Sequence, residues 1–234
     1  MRIANVATYP AREQTCLPAF RSIADQVDVL NITLNEYTKV PKSFQALKNA
    51  NFHLPDRNLK DLGKFSFAVG DEDDVFLCDD DIIYPADYVS WMMKLRADIG
   101  HSNPVLGVHG VTYSDYYDGR SRSGRLVHVF NRALAAPLQM NQLGTGTVHV
   151  KGHQMPSFGY MEGSSGFVDI RFARFAYERG YPMICIARGQ NWMTDLKNDE
   201  TLYLSVTRNL PVHALQEVHE FGGLSRLVRA QPSP

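Results

Sequence analysis

The sequence contains few cysteines, with only Cys16, Cys78 and Cys185 in 234 residues. Because the three are far apart and odd in number, they exclude a zinc-binding pattern and a disulfide framework. Each lies in an apolar stretch, so we expect three buried free thiols in a protein of a reducing compartment.

Long hydrophobic runs and an excess of charge are also absent. No window approaches the roughly 18 apolar residues needed to cross a bilayer, and the first residues lack the pattern of a signal peptide. The formal net charge is −1, so the composition gives no reason to expect nucleic acid or a membrane surface as a partner. We therefore expect a cytoplasmic protein without a transmembrane segment, with peripheral attachment at the inner membrane face as a variant.

Two common phosphate-binding signatures are missing as well. Residues 144–147, Gly-Thr-Gly-Thr, are not followed by Lys-Ser/Thr and so do not form a Walker loop, and no dinucleotide fingerprint is present. Two interpretations of this segment stay open, a tight turn against a substrate and a simple hairpin turn.

What the sequence does contain is an alternation of apolar strands and amphipathic helices. We predict strands over residues 2–8, 27–34, 74–78, 104–111, 127–130, 148–150 and 183–187, and helices after Pro10, from Tyr84 onward and over 169–179. We predict a short helix or strand over 64–69 and a polar loop over 114–125. Such alternation predicts an α/β fold with a mostly parallel sheet flanked by helices. We expect one domain over 1–234.

The segment DDVFLCDDDIIYP carries the strongest chemical signal. A buried strand leads directly into Asp79, Asp80 and Asp81, and the carboxyl ends of strands form the ligand crevice in open α/β sheets. Adjacent carboxylates repel each other unless a cation or donor compensates them, and oxygen ligands suit Mg²⁺ or Mn²⁺. A solvated acidic turn is the alternative, but the preceding strand and the following Tyr-Pro helix start favour a site.

Further candidates are scattered along the chain. Arg12, after the first strand, could pair with a diphosphate, or be a surface arginine. Asp61 and Lys64 could contact a base and a phosphate, or lie in a solvated loop. Asp169, at a helix start, could be a general base or an ordinary helix cap. His149 and His153 lie four residues apart, which on a helix is a metal-ligand spacing, but the local pattern predicts strand and turn. We expect His213 and His219 at the surface, with a histidine of the C-terminal part as a further candidate to complete the metal site.

Several of these segments together resemble a known family. They are VATYPARE, SIADQVD, LNEY followed by Pro41, DLGKF and FLCDDDIIYPADYV. Their order resembles that of the GT-A glycosyltransferases of the family 2 type, especially bacterial enzymes of capsule and surface polysaccharide assembly. The resemblance implies a GT-A fold with a nucleotide-binding half over 1–110 and an acceptor-binding half over 111–234.

The resemblance also implies roles for individual residues. It implies a nucleotide pocket formed by Thr8, Pro10, Arg12, Asn35, Tyr37, Asp61, Lys64, Asp79 and Asp80. Asp81 and Asp79 would hold Mn²⁺ or Mg²⁺, and Asp169 would act as the base of an inverting transfer. The segment GFVDIRF around Asp169 lacks the Glu that precedes this Asp in many family members.

The implied partners are a nucleoside diphosphate sugar, with UDP as the default, and a saccharide or lipid-linked saccharide acceptor. A homodimer is compatible with the family. Three other classes remain as alternatives. A sugar nucleotidyltransferase usually has a Gly-rich, Arg-containing loop after its first strand, where this chain has Thr-Tyr-Pro-Ala-Arg, which argues against that class. The intact aspartate run argues against a non-catalytic scaffold of the same fold. A metal-dependent phosphate hydrolase is expected to have histidines clustered with aspartates, whereas the histidines of this chain are scattered.

Overall fold

A computed structural model describes residues 1–119, 124–196 and 210–227 of the chain. Parts of the predicted loop over 114–125 and of the polar tail after residue 190 lie outside these ranges. In the described part, no helix is both long enough and apolar enough to cross a membrane.

The described residues form strands and helices in alternation over the first half and a more irregular arrangement over the second. The strands are β1 Arg2–Thr8, β2 Val29–Leu34, β3 Ala50–His53, β4 Asp74–Cys78, β5 Ile82–Ile83, β6 Val105–Gly107, β7 Gly110–Tyr113, β8 Arg125–His128, β9 Leu138–Met140, β10 Gln142–Leu143, β11 Thr147–Lys151, β12 Met183–Cys185 and β13 Thr194–Asp195. The α-helices are α1 Leu17–Ala24, α2 Tyr88–Asp98, α3 Phe158–Met161, α4 Val168–Glu178 and α5 Val212–Phe221.

The central sheet has the order β3-β2-β1-β4-β11-β6-β12-β9. Six of its eight strands run in one direction, and β11 and β9 run against them. The expected α/β fold with a mostly parallel sheet flanked by helices is therefore confirmed. β4 pairs with β1 in parallel and with β11 antiparallel, and Thr147 lies opposite Cys78. This register brings the start of β11 to the end of β4.

Alternating side chains of the sheet enter two separate cores. Phe76 and Cys78 of β4 pack on the side of α1 and α2, whereas Val75 and Leu77 pack on the side of α4 and α5. β4 is thus apolar on both faces, as expected of a strand covered by helices on each side. Each large side chain buried in this way contributes about 1.5–3 kcal/mol.

A ladder of asparagines crosses the three strands at one end of the sheet. Asn5, Asn31 and Asn51 are adjacent in register, and their amides donate from Asn51 to Asn31 and from Asn31 to Asn5. Asn5 in turn donates to the Lys64 carbonyl oxygen over 3.0 Å. The ladder therefore fixes the backbone of the 3-10 turn Lys60–Phe65 against the sheet.

Several predicted boundaries are corrected. The predicted strand over 104–111 is two strands in two different sheets, because the N–H groups of Val108 and His109 donate to Thr147 Oγ1 and leave the ladder. The helix predicted from Tyr84 begins at Tyr88. Segment 64–69 is the end of a 3-10 turn followed by irregular chain, and β3 was not predicted.

Candidate functional site

The candidate site lies where β1 and β4 end, at the edge that open parallel sheets use for ligands. The turn after β4 carries the three consecutive aspartates, and each is held by a different partner. The partners come from separate parts of the chain, so the fold determines where each carboxylate lies.

Asp79 forms an ion pair with Lys64. The Lys64 side chain is buried, and its Nζ donates to Asp79 Oδ1 and, over 3.4 Å, to the Thr145 carbonyl oxygen. Burial lowers the pKa of Lys64, but the charge and hydrogen bond of Asp79, with the charges of Asp169 and Asp61, outweigh it and raise the pKa above its usual range. Lys64 therefore keeps its positive charge at neutral pH.

Asp81 forms the second ion pair, with Arg12. The buried Arg12 donates from Nη1 to Asp81 Oδ2 over 3.2 Å, and its guanidinium lies 5.9 Å from the centre of the Tyr9 ring. Pro10 begins the 3-10 turn Pro10–Arg12 that brings this side chain back over the end of β1. Burial and the nearby charge of Asp79 raise the pKa of Asp81, despite the opposing effect of Arg12.

Asp80 points the other way, toward β1. Thr8 Oγ1 donates to Asp80 Oδ2 over 2.7 Å. Burial raises the pKa of Asp80 to about 6, although Thr8 and the charge of Arg12 oppose the shift.

The segment 144–147 lies between the end of β4 and the start of α4. The Thr145 N–H and hydroxyl donate to Asp169 Oδ1 over 2.8 and 2.6 Å. Asp169 is in the first turn of α4, yet the N-cap position is Phe167 and has no side-chain cap bond. The interpretation of Asp169 as a helix cap is therefore wrong, because its carboxylate binds a different loop. Burial raises its pKa, against the effect of Thr145 and Lys64.

The remaining predicted residues hold the loops around this edge. Asn35 accepts from the Leu59 N–H over 2.8 Å and donates to the Lys60 carbonyl over 3.0 Å. Tyr37 donates from its hydroxyl to the Tyr9 carbonyl over 3.2 Å. Asp61 accepts from the Gly166 N–H over 2.7 Å, and burial raises its pKa to about 6.

Acidic groups outnumber basic ones among the described residues named above. Five carboxylates meet two cations here: Asp61, Asp79, Asp80, Asp81 and Asp169 on one side, Lys64 and Arg12 on the other. Four of the five carboxyl groups have a raised pKa, with burial as the first cause. A further positive charge would therefore stabilise their ionised forms.

The donor set fits a hard divalent cation. Mg²⁺ and Mn²⁺ prefer oxygen ligands, and Mg²⁺ is usually bound through one or two carboxylates together with substrate phosphates. Asp79 Oδ2 lies against Gly146. Because glycine has no Cβ atom, the space beside this carboxylate stays open, and a Cβ atom would fill it. Within the described ranges, no three His, Cys, Asp or Glu side chains are grouped to hold a metal by themselves.

The four candidate histidine ligands lie elsewhere. His149 is buried, stacks on Phe76 at 4.5 Å, and its Nε2 lies 2.9 Å from Asp74 Oδ1. His153 contacts the Asp71 carbonyl and Asn103. Both are near the start of β4, away from its aspartate end, while His213 packs on Phe167 and His219 contacts the Tyr117 carbonyl.

Sequence reasoning missed the part played by Tyr84. This buried residue accepts from the Asp79 N–H over 2.8 Å and donates to the Gly146 carbonyl over 2.7 Å. It therefore joins the aspartate turn to segment 144–147. The position of Tyr84 shortly after a buried aspartate-ended strand was its only signal, and that signal is not specific.

Comparisons with known proteins support the fold and leave the activity open. No protein-family model and no curated protein matches the sequence. The crystal structure of a mycobacterial protein is similar with a TM-score of 0.57 and 16% identity, over 95% of this chain and 75% of that one. Such a similarity establishes a shared fold.

More distant similarities are to two enzymes. The first is 4-diphosphocytidyl-2C-methyl-D-erythritol synthase, with a TM-score of 0.45 and 13% identity over 86% of this chain and 96% of that one. The second is the galactosyltransferase LgtC in complex with donor and acceptor sugar analogues, with a TM-score of 0.38 and 10% identity over 70% of this chain and 63% of that one. At these TM-scores neither carries an argument about this chain.

Proposed function

We propose that this protein is a metal-dependent glycosyltransferase that moves a sugar from a nucleoside diphosphate sugar to a hydroxyl group, with inversion. The observation that carries this proposal is the arrangement at one sheet edge of two carboxylates paired with Lys64 and Arg12 and of a third carboxylate, Asp169, that binds Thr145. The donor would bind to residues 1–110, with UDP as the default nucleotide. The acceptor, a saccharide or lipid-linked saccharide of polysaccharide assembly, would bind to residues 111–234.

The two basic side chains suit the diphosphate. Arg12 offers a planar fork of donors and Lys64 a compact charge, and both are already desolvated. When a diphosphate enters, it can take over the cations that now bind Asp81 and Asp79. The nucleoside would lie toward Thr8, Asn35, Tyr37 and Asp61, with Pro10 and Asp80 at the edge of its pocket.

The carboxylates released in this exchange suit the metal. Asp79 and Asp81 would hold Mn²⁺ or Mg²⁺, with phosphate oxygens as further ligands. When bound, the ion neutralises charge that develops on the departing diphosphate.

Asp169 would act as the general base. Its carboxylate would accept the proton of the acceptor hydroxyl while the acceptor oxygen bonds to the anomeric carbon. The bond from that carbon to the diphosphate oxygen breaks, and its electron pair leaves with the nucleoside diphosphate. Lys64 and Arg12 would stabilise the leaving group electrostatically.

Calorimetric titration with a panel of nucleoside diphosphates, with and without Mn²⁺, tests the proposal. We expect one nucleotide to bind in the presence of Mn²⁺ and to lose at least tenfold in affinity in Asp81→Ala. Asp98→Ala, at the exposed end of α2, is the matched control and should bind like the wild type. If no nucleotide binds under either condition, the proposal fails in favour of a non-catalytic scaffold.

The stereochemistry of the product tests the base separately. Direct displacement with Asp169 as base gives an inverted anomeric centre. A product that retains the donor's anomeric configuration would contradict this role for Asp169.

A further inference from the structure

The segment 144–147 contacts three charged groups of the site, Lys64, Asp79 and Asp169. Its Thr145 carbonyl accepts from Lys64, its Gly146 carbonyl accepts from Tyr84, and Gly146 lies against the Asp79 carboxylate. Thr147 Oγ1 accepts the N–H groups of Val108 and His109 and so anchors the segment to the end of β6. At the other end, the Gly144 N–H donates to the His109 carbonyl over 3.0 Å. The flanking strands β10 and β11 lie in different sheets, so the segment is not a hairpin turn.

Thr145 binds Asp169 with both of its donors and at only one oxygen. The N–H and the hydroxyl converge on Oδ1 over 2.8 and 2.6 Å. Among the described residues, no hydrogen bond is made to Oδ2. Two donors on one oxygen fix the rotation of the carboxylate and leave its other oxygen for a further partner.

The charged groups that face Asp169 come from several elements. Lys64 and Asp61 approach from the 3-10 turn, and Asp79 approaches from the end of β4. On the far side of α4, Arg171 is engaged by Glu217 of α5 over 2.6 and 2.7 Å. Two acids and one base thus act on Asp169 from close range, and only Thr145 donates hydrogen bonds to it in the described ranges.

We propose that Thr145 is a positioning residue, which holds Oδ1 of Asp169 so that Oδ2 is presented, ionised, to the acceptor hydroxyl. This inference rests on the proposed function, because it gives Asp169 the task of accepting a proton. Hydrogen bonds to a carboxylate favour its charged form, whereas burial and the charge of Asp79 favour the neutral one. The hydrogen bonds from Thr145 therefore lower the pKa of Asp169, against the effects of burial and of Asp79.

Two substitutions at Thr145 separate the hydroxyl from the shape of the side chain. Thr145→Val keeps the branched shape and the backbone N–H but removes the hydroxyl donor. Thr145→Ser keeps the hydroxyl and loses a methyl group. The pKa of Asp169 is read by carboxyl NMR titration of each purified protein, with the signal assigned by its loss in Asp169→Asn, and the pH dependence of kcat/KM is measured beside it.

We expect Thr145→Val to raise the pKa of Asp169 by about one unit, as the loss of one hydrogen bond to a charged group suggests. The acidic limb of kcat/KM should move to higher pH by the same amount, so activity should fall about tenfold at pH values well below the wild-type pKa of Asp169 and recover above the new pKa. Thr145→Ser should resemble the wild type in both measurements. If Thr145→Val lost activity by the same factor at all pH values and the pKa of Asp169 were unchanged, the inference would be overturned.

The two readouts distinguish this inference from the proposed function. The NMR titration needs no substrate, so an unchanged pKa in Thr145→Val rejects the positioning role whatever the enzyme does. If the pKa rises as expected but Asp169→Asn retains full turnover, Thr145 does control the ionisation of Asp169, and the assignment of Asp169 as base fails. If Thr145→Val does not fold, Thr145→Ala removes the same hydroxyl donor together with the methyl group, and Thr145→Ser, which lacks only the methyl group, remains its control.

Discussion

Gly146 lies where the site has no room for a side chain. A Cβ atom there would collide with the carboxylate of Asp79. We expect Gly146→Ala to displace Asp79 and to weaken Mn²⁺-dependent nucleotide binding at least tenfold, measured by calorimetry. Gly159 in α3 has open space around it and serves as the control. Gly159→Ala should bind nucleotide like the wild type and be slightly more stable, since alanine is the better helix former by about 0.5–1 kcal/mol.

Asp80 should make the stability of the ligand-free protein depend on pH. Its folded-state pKa, about 6, lies above the ordinary value because of burial. A raised carboxyl pKa contributes stability that is complete below the unfolded-state value near 4 and is lost as the pH rises through about 6. Asp80→Asn stays neutral, so it should match the wild type near pH 4 and exceed its free energy of unfolding at pH 7 by roughly 1–3 kcal/mol.

Urea unfolding at pH 4, 5.5 and 7 measures this difference. Asp98→Asn, on the exposed end of α2, is the control and should show no such trend. A stability gain of Asp80→Asn that is the same at all three pH values would contradict the explanation by titration.

At the scale of elements, Tyr84 joins the end of β4 to the segment before β11. Its hydroxyl makes two hydrogen bonds within the protein, to the Asp79 N–H and the Gly146 carbonyl. Tyr84→Phe would leave both groups without this partner, at a cost of about 1–3 kcal/mol for each that stays buried. We expect a lower free energy of unfolding in urea together with weaker nucleotide binding.

Tyr88, at the start of α2, is a matched control for this substitution. It is buried like Tyr84 and the two rings lie 5.0 Å apart, yet its hydroxyl has no hydrogen-bond partner among the described residues. Tyr88→Phe should therefore be neutral or stabilising. Equal losses in the two variants would show that ring packing, rather than hydrogen bonding, determines the effect of Tyr84→Phe.

The elements that sequence could predict are those specified by a continuous run. β1 and β4 are confirmed at their predicted bounds, because each is an apolar-rich run with a clear stop, Pro10 or the aspartates. Helix α4 is confirmed to within one residue. The predicted single strand over 104–111 is wrong, because Val108 and His109 donate to the side chain of Thr147, which lies 39 and 38 residues further along the chain, and so leave the strand ladder.

The same reason limits prediction of the site. The three aspartates are visible because they are adjacent in the sequence. Thr145 binds an aspartate 24 residues away and Tyr84 a carbonyl 62 residues away, so neither role has a local signature. The pairing of Lys64 with Asp79 and of Arg12 with Asp81 likewise depends on the sheet register.

At the scale of the whole molecule, the paired charges predict that metal and nucleotide bind together. Lys64 and Arg12 occupy the carboxylates proposed for the metal, and the same carboxylates occupy the cations proposed for the diphosphate. Each ligand should therefore improve the site for the other. We expect a nucleoside diphosphate to tighten Mn²⁺ binding at least tenfold, and Mn²⁺ to tighten the nucleotide by the same factor, because such coupling is reciprocal.

Calorimetry in both orders of addition measures this coupling. In Lys64→Met, Asp79 loses its internal cation, so Mn²⁺ should bind more tightly without nucleotide and the coupling should shrink. Equal Mn²⁺ affinity with and without nucleotide in the wild type would contradict the exchange of ion pairs.

The position of β11 between β4 and β6 also bears on how the chain is made. As the polypeptide leaves the ribosome, β1 to β4 can assemble early, but the backbone edge of β4 then has no neighbour until residues 147–151 have been added. Exposed edges of this kind recruit strands from other chains. Synthesis of this protein therefore passes through a stage that is prone to aggregation, and rapid translation or chaperone binding at that stage should raise its soluble yield.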